Sequence, residues 1–168
     1  SWSSSNEKAF LWTKSKLLNS LSIFKDIQIK HFGSTSIPHL KAKPILDIMI
    51  AFQSSEDLQQ ALLTLENFGF INKGDAVSKL YKQPADPNRY FLAFYDNKQE
   101  VDYLHLHAFV SGHPDFSRNL KFRDSLRKNK NLAQEYQNLK EDLKQEKKSR
   151  TEYRRIKGKF IESLSFIP

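Results

Sequence analysis

The chain has 168 residues, of which 39% are hydrophobic and 27% are charged. This length and composition are typical of one soluble domain with a single core rather than of a disordered chain. The sequence contains no cysteine, which excludes a disulfide framework, a thiolate nucleophile and a cysteine-based zinc site. No apolar run approaches the length of a membrane span, and we expect a cytoplasmic protein without membrane contact.

Positive charge is concentrated at the C-terminal end, within a net charge of +8. Residues 1–117 contain 12 Lys and Arg against 12 Asp and Glu, whereas residues 118–168 contain 15 against 7. A basic region attracts nucleotide phosphates, nucleic acid or an acidic partner. A lysine-rich, solvated helix face is the alternative interpretation, and composition alone favours neither.

The first part of the chain predicts a helix followed by two strands. Residues 6–22 place apolar side chains near helical spacing, which predicts the helix. Residues 27–32, IQIKHF, alternate with period two, as a strand does. Residues 44–52, PILDIMIAF, are apolar on both faces, as in a central strand, and Pro44 suits its first position.

The middle of the chain predicts a second helix and further strands. Ser54 followed by Asp57 resembles a capping box, an apolar stripe at helical spacing comes next, and Gly69 suits the end of the helix. Period-two patterns then predict three strands, at residues 79–83, 89–96 and 100–110. Residues 96–99, DNKQ, favour a hairpin turn between the last two of these strands.

The last third of the chain is predicted to be helical. Its apolar residues recur at steps of three and four in two runs, which are Leu132, Tyr136, Leu139 and Leu143, then Tyr153, Ile156, Phe160 and Leu164. Without a repeat or a linker between them, residues 1–168 are predicted to form one α+β domain with an N-terminal helix and a basic C-terminal helical segment.

One carboxylate lies inside the apolar strand. Alternation places Asp47 and Met49 on one face of that strand, and it places His105 and His107 on one face of the strand at residues 100–110. If the two strands are neighbours with these faces aligned, Asp47 lies beside both imidazoles. One carboxylate and two imidazoles can bind a divalent metal or act as acid–base groups.

Structural alternatives exist for each of these side chains. Two histidines on a strand can be satisfied imidazoles on a polar sheet face. A carboxylate in an apolar strand is costly unless it is paired, and Asp47 could pair with Lys43, with Arg89 or with a helix N-terminus. Asp102 is a second carboxylate nearby, but strict alternation puts it on the opposite face from His105, so that a β-bulge would be needed to bring it in.

The loop before the apolar strand carries groups that suit phosphate. Gly33 allows the backbone to approach a ligand closely. Hydroxyls, amides and charge are supplied by Ser34, Thr35, Ser36, Lys41 and Lys43. The loop is not a Walker motif, and an ordinary turn with a serine cap is the alternative.

Residues 120–140, LKFRDSLRKNKNLAQEYQNLK, form the most basic part of the predicted helices. Arg123, Arg127 and Lys128 lie here, and a nucleic-acid-binding arm is one interpretation. Few aromatic residues are interleaved with these charges, which argues against stacking on single strands. A surface helix with weak charge pairs is the other interpretation.

Several motifs, in chain order, resemble those of the GrpB family, also called UPF0157. GSTSIPHLKAKPILDI resembles the family signature, and RYF and HLH resemble its arginine and histidine strands. The basic segment just described and TEYRRIKGKFIESL resemble its two C-terminal helices. The motifs lie at residues 33–48, 89–91, 105–107, 120–140 and 151–164. The resemblance covers nearly the whole chain from about Trp12.

The family is similar to nucleotidyltransferases of the polymerase-β-like superfamily, and this resemblance implies a mixed sheet. It implies that Gly33 and Ser34 hold a nucleoside triphosphate, with further phosphate contacts from Thr35, Ser36, Lys43 and Arg89. Asp47 matches the first carboxylate of the strand that binds metal in that superfamily, and it is the expected catalytic residue.

The implied reaction is transfer of a nucleotidyl group to an unknown acceptor hydroxyl, assisted by a divalent metal. The metal would be Mg²⁺, Mn²⁺ or Zn²⁺, held by Asp47, His105 and His107, and two imidazoles suit Mn²⁺ or Zn²⁺ better than Mg²⁺. Met49 stands where the superfamily usually has a second carboxylate, and His39 replaces a glycine of the family signature.

Two other functions are open at this point. The chain could be a non-catalytic nucleotide or RNA binder on the same fold, with RNA or an acidic partner bound through residues 118–168. It could also be a protein-interaction module in which Asp47 is structural. The missing second carboxylate favours the non-catalytic binder.

Overall fold

The computed structural model describes residues 2–96 and 101–164. The strands are β1 (Gln28–Phe32), β2 (Leu46–Phe52), β3 (Phe70–Asn72), β4 (Arg89–Asp96) and β5 (Val101–Val110). The helices are α1 (Trp2–Ser20), α2 (Ser55–Asn67), α3 (Ala76–Tyr81), α4 (Pro114–Lys128), α5 (Lys130–Gln145) and α6 (Arg150–Leu164), and a 3-10 turn covers Ser34–Ser36. None of the helices in these ranges is long and apolar enough to cross a membrane.

The five strands form one sheet in the order β1-β2-β5-β4-β3. The central strands β2 and β5 are parallel, and every other neighbouring pair is antiparallel. Both central strands are rich in Ile, Leu and Phe because each is covered on both faces. The α+β class and the mixed sheet predicted from the sequence are confirmed.

The two faces of the sheet have different coverings. One face carries the main core, where α1 and α2 pack through residues at helical spacing, among them Phe10, Leu17, Leu58 and Leu65. The other face carries a smaller cluster in which Met49 and Phe109 meet Phe116 of α4. Asp47 lies two residues before Met49 on β2, so it is on this second face as well.

The start and end of α2 follow the predicted signals. The Asp57 amide donates to Ser54 Oγ at 3.1 Å, so the serine caps the helix. Gly69 follows the last turn with φ of 96°, a conformation that glycine adopts without a side-chain penalty.

The strand predicted at residues 79–83 is wrong. The chain forms α3 there, because Asp75 Oδ1 accepts hydrogen bonds from the Val77 and Ser78 amides, both at 3.1 Å, and caps the helix. Lys82 then ends the helix in a left-handed conformation, with φ of 54°. Strand β3 was not predicted, because three residues are too few to show a period.

The alternation predicted along β5 fails at its start. Phe94 pairs with Leu104, but Tyr95 pairs with Asp102, so the register shifts by one residue at Tyr103. Such a bulge resets the alternation, and the single face predicted from residue 101 to residue 109 is therefore wrong before His105. Residues 97–99 of the predicted hairpin turn lie outside the described residues.

The last three helices form a separate apolar cluster. Leu126 of α4 and Tyr136 of α5 are buried there together with Ile37 and Leu40, which follow the 3-10 turn. Phe160 of α6 stacks on Tyr136 with ring centroids 5.6 Å apart. The chain that leaves the turn is therefore anchored in the C-terminal helices.

Helix α6 also reaches α3. A Cβ added at Gly158 would lie 2.7 Å from the Tyr81 hydroxyl. This distance is shorter than a van der Waals contact, so glycine permits the close approach.

We expect the substitution Gly158→Ala to have different effects in two backgrounds. Ala is better than Gly in a helix interior by about 1 kcal/mol, and that gain should appear in Tyr81→Phe, which lacks the hydroxyl. In the wild-type background the contact should cancel most of it. A double-mutant cycle from urea unfolding measures the coupling. Equal changes in both backgrounds would mean that Gly158 and Tyr81 do not touch.

Candidate functional site

The parallel pairing of β2 and β5 places Asp47 directly opposite His105. The His105 Nδ1 atom lies 3.1 Å from Asp47 Oδ1, and the two side chains are 19% and 25% exposed. The strands are thus neighbours with the predicted faces aligned. Both groups are accessible enough to meet a ligand and close enough to share a proton.

His107 lies next on the same strand face, opposite Met49. Its ring contacts Phe32 and Phe91, with centroids 4.9 and 5.0 Å away. Burial lowers the pKa of His107 to about 4, although the Asp47 carboxylate opposes this shift. The imidazole is therefore neutral at pH 7, which is the form that binds metals.

Gly33 brings the preceding turn into contact with Asp47. Its φ of 70° and ψ of −173° fall in a region that is essentially restricted to glycine. A Cβ at this position would overlap Asp47 Oδ2, so the site also has no room for a side chain. The backbone of the turn and the carboxylate of β2 therefore line the same site.

The three hydroxyls of the turn have different roles. Ser36 Oγ donates to the Gly33 carbonyl at 2.7 Å, and Thr35 Oγ1 lies 3.1 Å from Nε2 of the buried His31. Thr35 and Ser36 are both buried, so they hold the turn together. Ser34 is partly exposed and is the hydroxyl best placed to meet a ligand.

Two arginines of α4 donate hydrogen bonds to backbone carbonyl groups in the turn and just before it. Arg127 donates to the Ser36 carbonyl from Nε and from a terminal nitrogen, at 3.0 and 2.8 Å. Arg123 donates to the His31 carbonyl at 2.9 Å. Charge-assisted hydrogen bonds of this kind contribute about 1.5–3 kcal/mol each. These guanidinium groups are therefore part of the turn's support, which the pattern of charges along the helix did not indicate.

Lys140 of α5 is a site residue that was not predicted. Its Nζ donates to Ser34 Oγ at 3.2 Å and to the Lys41 carbonyl at 2.8 Å, and it lies 5.1 Å from the centre of the Tyr136 ring. Burial, followed by the charges of Lys157 and Lys144, lowers the pKa of Lys140 to about 8. The signal in the sequence was the pairing of Tyr136 and Lys140 four residues apart on one helix face.

The other predicted phosphate ligands lie apart from the turn or beside it. Arg89 donates to Asp75 at 3.0 and 2.9 Å and pairs with Asp115. It lies opposite Phe109, four residues from His105, which is about 13 Å along the strand. Lys43 is exposed between the turn and β2. The structure therefore does not bring Arg89 to Gly33, and it leaves Lys43 close to the turn in the chain.

An open cavity of about 860 Å³ adjoins the Arg89 ion pairs. His113 lines it and accepts a hydrogen bond from the Asp115 amide on Nδ1 at 3.1 Å. Its Nε2 must then carry the proton that it shares with Asp86, 2.9 Å away. These polar groups form hydrogen bonds and ion pairs with one another.

The side chains of residues 2–96 and 101–164 do not form a complete metal site by themselves. No three side chains of His, Cys, Asp or Glu converge there, although Asp47 and His105 form a pair. A divalent ion at Asp47 would need further oxygen ligands from a substrate, as Mg²⁺ takes them from phosphates.

The sequence of residues 2–165 matches the family described as GrpB protein. The chain therefore belongs to the GrpB family. One relative, the UPF0157 protein YqkA of Bacillus subtilis, is 36% identical over 117 residues, which are 70% of this chain and 31% of that protein. This chain thus spans about a third of the length of that relative.

Two solved structures resemble this fold. The GrpB protein from Enterococcus faecalis has a TM-score of 0.75 and 26% identity, over 95% of this chain and 90% of that one. The Cid1 poly(U) polymerase has a TM-score of 0.55 and 15% identity, over 83% of this chain and 42% of that one. The second likeness concerns the fold alone.

We expect Gly33→Ala to lower the free energy of unfolding by more than a matched glycine substitution does. Gly112→Ala is the control, because Gly112 also has positive φ but has no atom within 4 Å of an added Cβ. Backbone strain costs about 1–3 kcal/mol at either position, and Gly33→Ala adds the overlap with Asp47. Urea unfolding measures both losses. Equal losses would contradict the contact between Gly33 and Asp47.

We also expect stability to fall as the pH drops from about 6.5 to about 4. Burial lowers the pKa values of His31 and His107 to about 4 each, so the unfolded chain binds protons in this window that the folded chain does not. Each histidine then contributes a slope of at most about 1.4 kcal/mol per pH unit.

Urea unfolding at pH 7.5, 6.0 and 5.0 measures this slope. His107→Phe keeps an aromatic ring between Phe32 and Phe91 and should reduce the slope by up to half. His39→Asn is the control, because His39 is exposed and asparagine tolerates its φ of 64°. An unchanged slope in His107→Phe would show that this imidazole does not titrate as a buried group.

Proposed function

We propose that this chain is a nucleotidyltransferase that uses a nucleoside triphosphate and an acceptor hydroxyl. The observation that carries the proposal is the junction of the Gly33 turn with Asp47, where a carboxylate and the buried Lys140 amine flank the same short backbone segment. The nucleotidyltransferase fold of the GrpB family supports it. Transfer of a phosphate group needs positive charge that stabilises the phosphate oxygens. It also needs a carboxylate that accepts a proton or binds a metal ion.

The proposed triphosphate-binding site, which we call the triphosphate seat, consists of Gly33, Ser34, Lys43 and Lys140. Ser34 Oγ lies 3.2 Å from Lys140 Nζ, so one phosphate oxygen that contacts both would accept a hydrogen bond from the hydroxyl and another from the ammonium. Lys140 takes the role that the sequence suggested for Arg89. Thr35 and Ser36 are buried, and their role in this proposal is to maintain the shape of the turn.

In the proposed reaction the acceptor oxygen attacks the α-phosphorus of the triphosphate. A new oxygen–phosphorus bond forms, the bond to the oxygen that bridges the α- and β-phosphates breaks, and pyrophosphate leaves. The hydroxyl proton passes to the Asp47 carboxylate, which lies 3.1 Å from His105 Nδ1. The imidazole orients the carboxylate and shares the proton.

The proposal also includes a divalent metal ion, which Asp47 would bind only together with the triphosphate. Asp47 would hold a divalent ion that arrives on the triphosphate, and His105 beside it would favour Mn²⁺ or Zn²⁺ over Mg²⁺, whereas His107 does not complete the three-residue set that the sequence predicted. Such an ion would neutralise the charge that develops on the phosphates. The protein's own contributions are the position of the turn and the Lys140 ammonium.

A second function is favoured by Met49. This side chain is fully buried against Ala51 and Phe109, and its thioether occupies the position of a second carboxylate. A thioether is a poor ligand for hard cations. The same seat could then bind a nucleotide without transferring it.

We expect Lys140→Met to weaken nucleotide binding at least 10-fold while Lys128→Met leaves it within twofold. Lys128 is exposed on α4 and controls for the loss of one charge. The Kd values are measured by isothermal titration with ATP, GTP, CTP and UTP in Mn²⁺. Because Lys140 is buried, Ser34→Ala is tested as well, and unfolding curves confirm that each variant is folded.

Pyrophosphate release then separates the two functions. Transfer requires release in the wild type, with water or added polyols as acceptors, and loss of release in Asp47→Asn with nucleotide binding retained. Binding that depends on Lys140 without any release supports the non-catalytic function. Failure of all four nucleotides to bind would overturn both.

A further inference from the structure

Helix α1 has apolar side chains on two of its sides. Phe10 and Leu17 are buried in the main core. Leu11 and Leu18, the residues that follow them, are 54% and 41% exposed. Because residues seven positions apart lie on the same side of a helix, these two leucines form a second apolar stripe that faces outward.

Trp12 lies beside this stripe, between two lysines. The tryptophan is 66% exposed, and Lys8 and Lys16 lie one helical turn before it and after it. Lys16 Nζ is 5.5 Å from the centre of the indole ring. Lys8 is exposed and has no ion-pair partner among the described residues. We define the outer face of α1 by five residues, which are Lys8, Leu11, Trp12, Lys16 and Leu18.

The combination of these residues distinguishes between kinds of partner. Tryptophan is enriched in protein–protein interfaces, but lysine is depleted there. At a lipid surface both are favoured, since tryptophan lies at the level of the headgroups and lysine reaches the lipid phosphates while its methylene stem contacts apolar surface. A second copy of the chain would bring the lysines of both copies together across a two-fold axis, and like charges repel. The outer face of α1 therefore fits an anionic lipid surface better than it fits a protein.

We propose that the outer face of α1 binds an anionic lipid surface, with the helix lying parallel to the plane of the membrane. The two leucines and the indole enter the headgroup region, and the two ammonium groups lie beside lipid phosphates. A helix bound in this way does not need the length of a membrane span, which was the basis for expecting no membrane contact. Since α1 covers the sheet face opposite to Asp47, the candidate site faces away from the lipid. The proposal does not depend on the proposed function.

Co-sedimentation of the full chain with lipid vesicles tests the proposal. One set of vesicles contains phosphatidylcholine alone, and the other contains equal amounts of phosphatidylcholine and phosphatidylglycerol. Each lysine near an anionic surface contributes about fivefold in affinity, so binding to the anionic vesicles should be tighter by about 10-fold or more. This difference should shrink as salt is added, because salt screens the interaction between surface charges.

Two pairs of charge reversals locate the contact on the protein. Lys8→Glu/Lys16→Glu should weaken binding to the anionic vesicles by about 10-fold or more. Lys121→Glu/Lys128→Glu makes the same charge change at exposed positions of α4, on the other face of the sheet. This control pair should stay within about threefold of the wild type, since it changes only the long-range field of the protein.

Trp12 provides a measurement that does not change charge. Trp12→Ser should weaken binding by about fivefold or more, whereas Trp12→Phe keeps a large apolar ring and should retain most of the affinity. In Trp2→Phe, Trp12 is the single tryptophan of the chain, and its fluorescence maximum should move to shorter wavelength on anionic vesicles. Unfolding curves identify any variant that is not folded.

Three results would overturn the proposal. They are no binding to anionic vesicles, equal losses in the two charge-reversal pairs, and an unshifted fluorescence maximum. A dimer in sedimentation velocity that Trp12→Ser dissociates would assign this face to a second copy of the chain instead. None of these results depends on nucleotide binding, so the triphosphate seat would stand or fail on its own.

Discussion

The contact between Gly33 and the Asp47 carboxylate determines how the rest of the site is built. It requires a residue without a side chain, in a conformation that other residues avoid, at the end of β1. A turn held this tightly has backbone groups that must be satisfied elsewhere, because buried polar groups without partners are costly. The partners come from helices that lie more than 90 residues further along the chain.

The C-terminal helices are therefore a structural part of the candidate site rather than an appended basic tail. Ile37 and Leu40 pack into the apolar cluster of these helices, and Arg127 donates hydrogen bonds to the Ser36 carbonyl. The apolar contacts supply non-directional stabilisation, whereas the guanidinium hydrogen bonds fix the orientation of the turn. A change in how α4 packs would move the turn relative to Asp47, even though β2 stayed in place.

Local patterns predicted the parts of this molecule that depend on local chemistry. The alternation in β1, the serine cap of α2 and the helical spacing of α5 all follow from neighbours within a few residues, and each was found. Strand 79–83 failed because the carboxylate of Asp75 caps a helix there, a contact that outweighs the short alternating pattern. The partners of Arg89, Arg123 and Lys140 could not be predicted, since long-range packing selects among many acidic and carbonyl groups. The resemblance to a family named the candidate residues Gly33, Ser34 and Asp47, but it did not indicate that Arg123, Arg127 and Lys140 support the turn.

The charge balance at Asp47 gives Met49 a physical meaning. Two carboxylates beside a triphosphate would repel it strongly in a partly buried site, and a metal ion normally offsets that repulsion. Here the residue two positions after Asp47 is a buried thioether, while Lys140 and Lys157 bring positive charge towards Ser34 and His107. With one negative charge fewer on β2, more of the triphosphate's charge can be balanced by lysines. In the proposed function, the buried thioether of Met49 and the buried Lys140 would therefore act in the same electrostatic direction, and affinity for the nucleotide would depend less on metal than it would with two carboxylates.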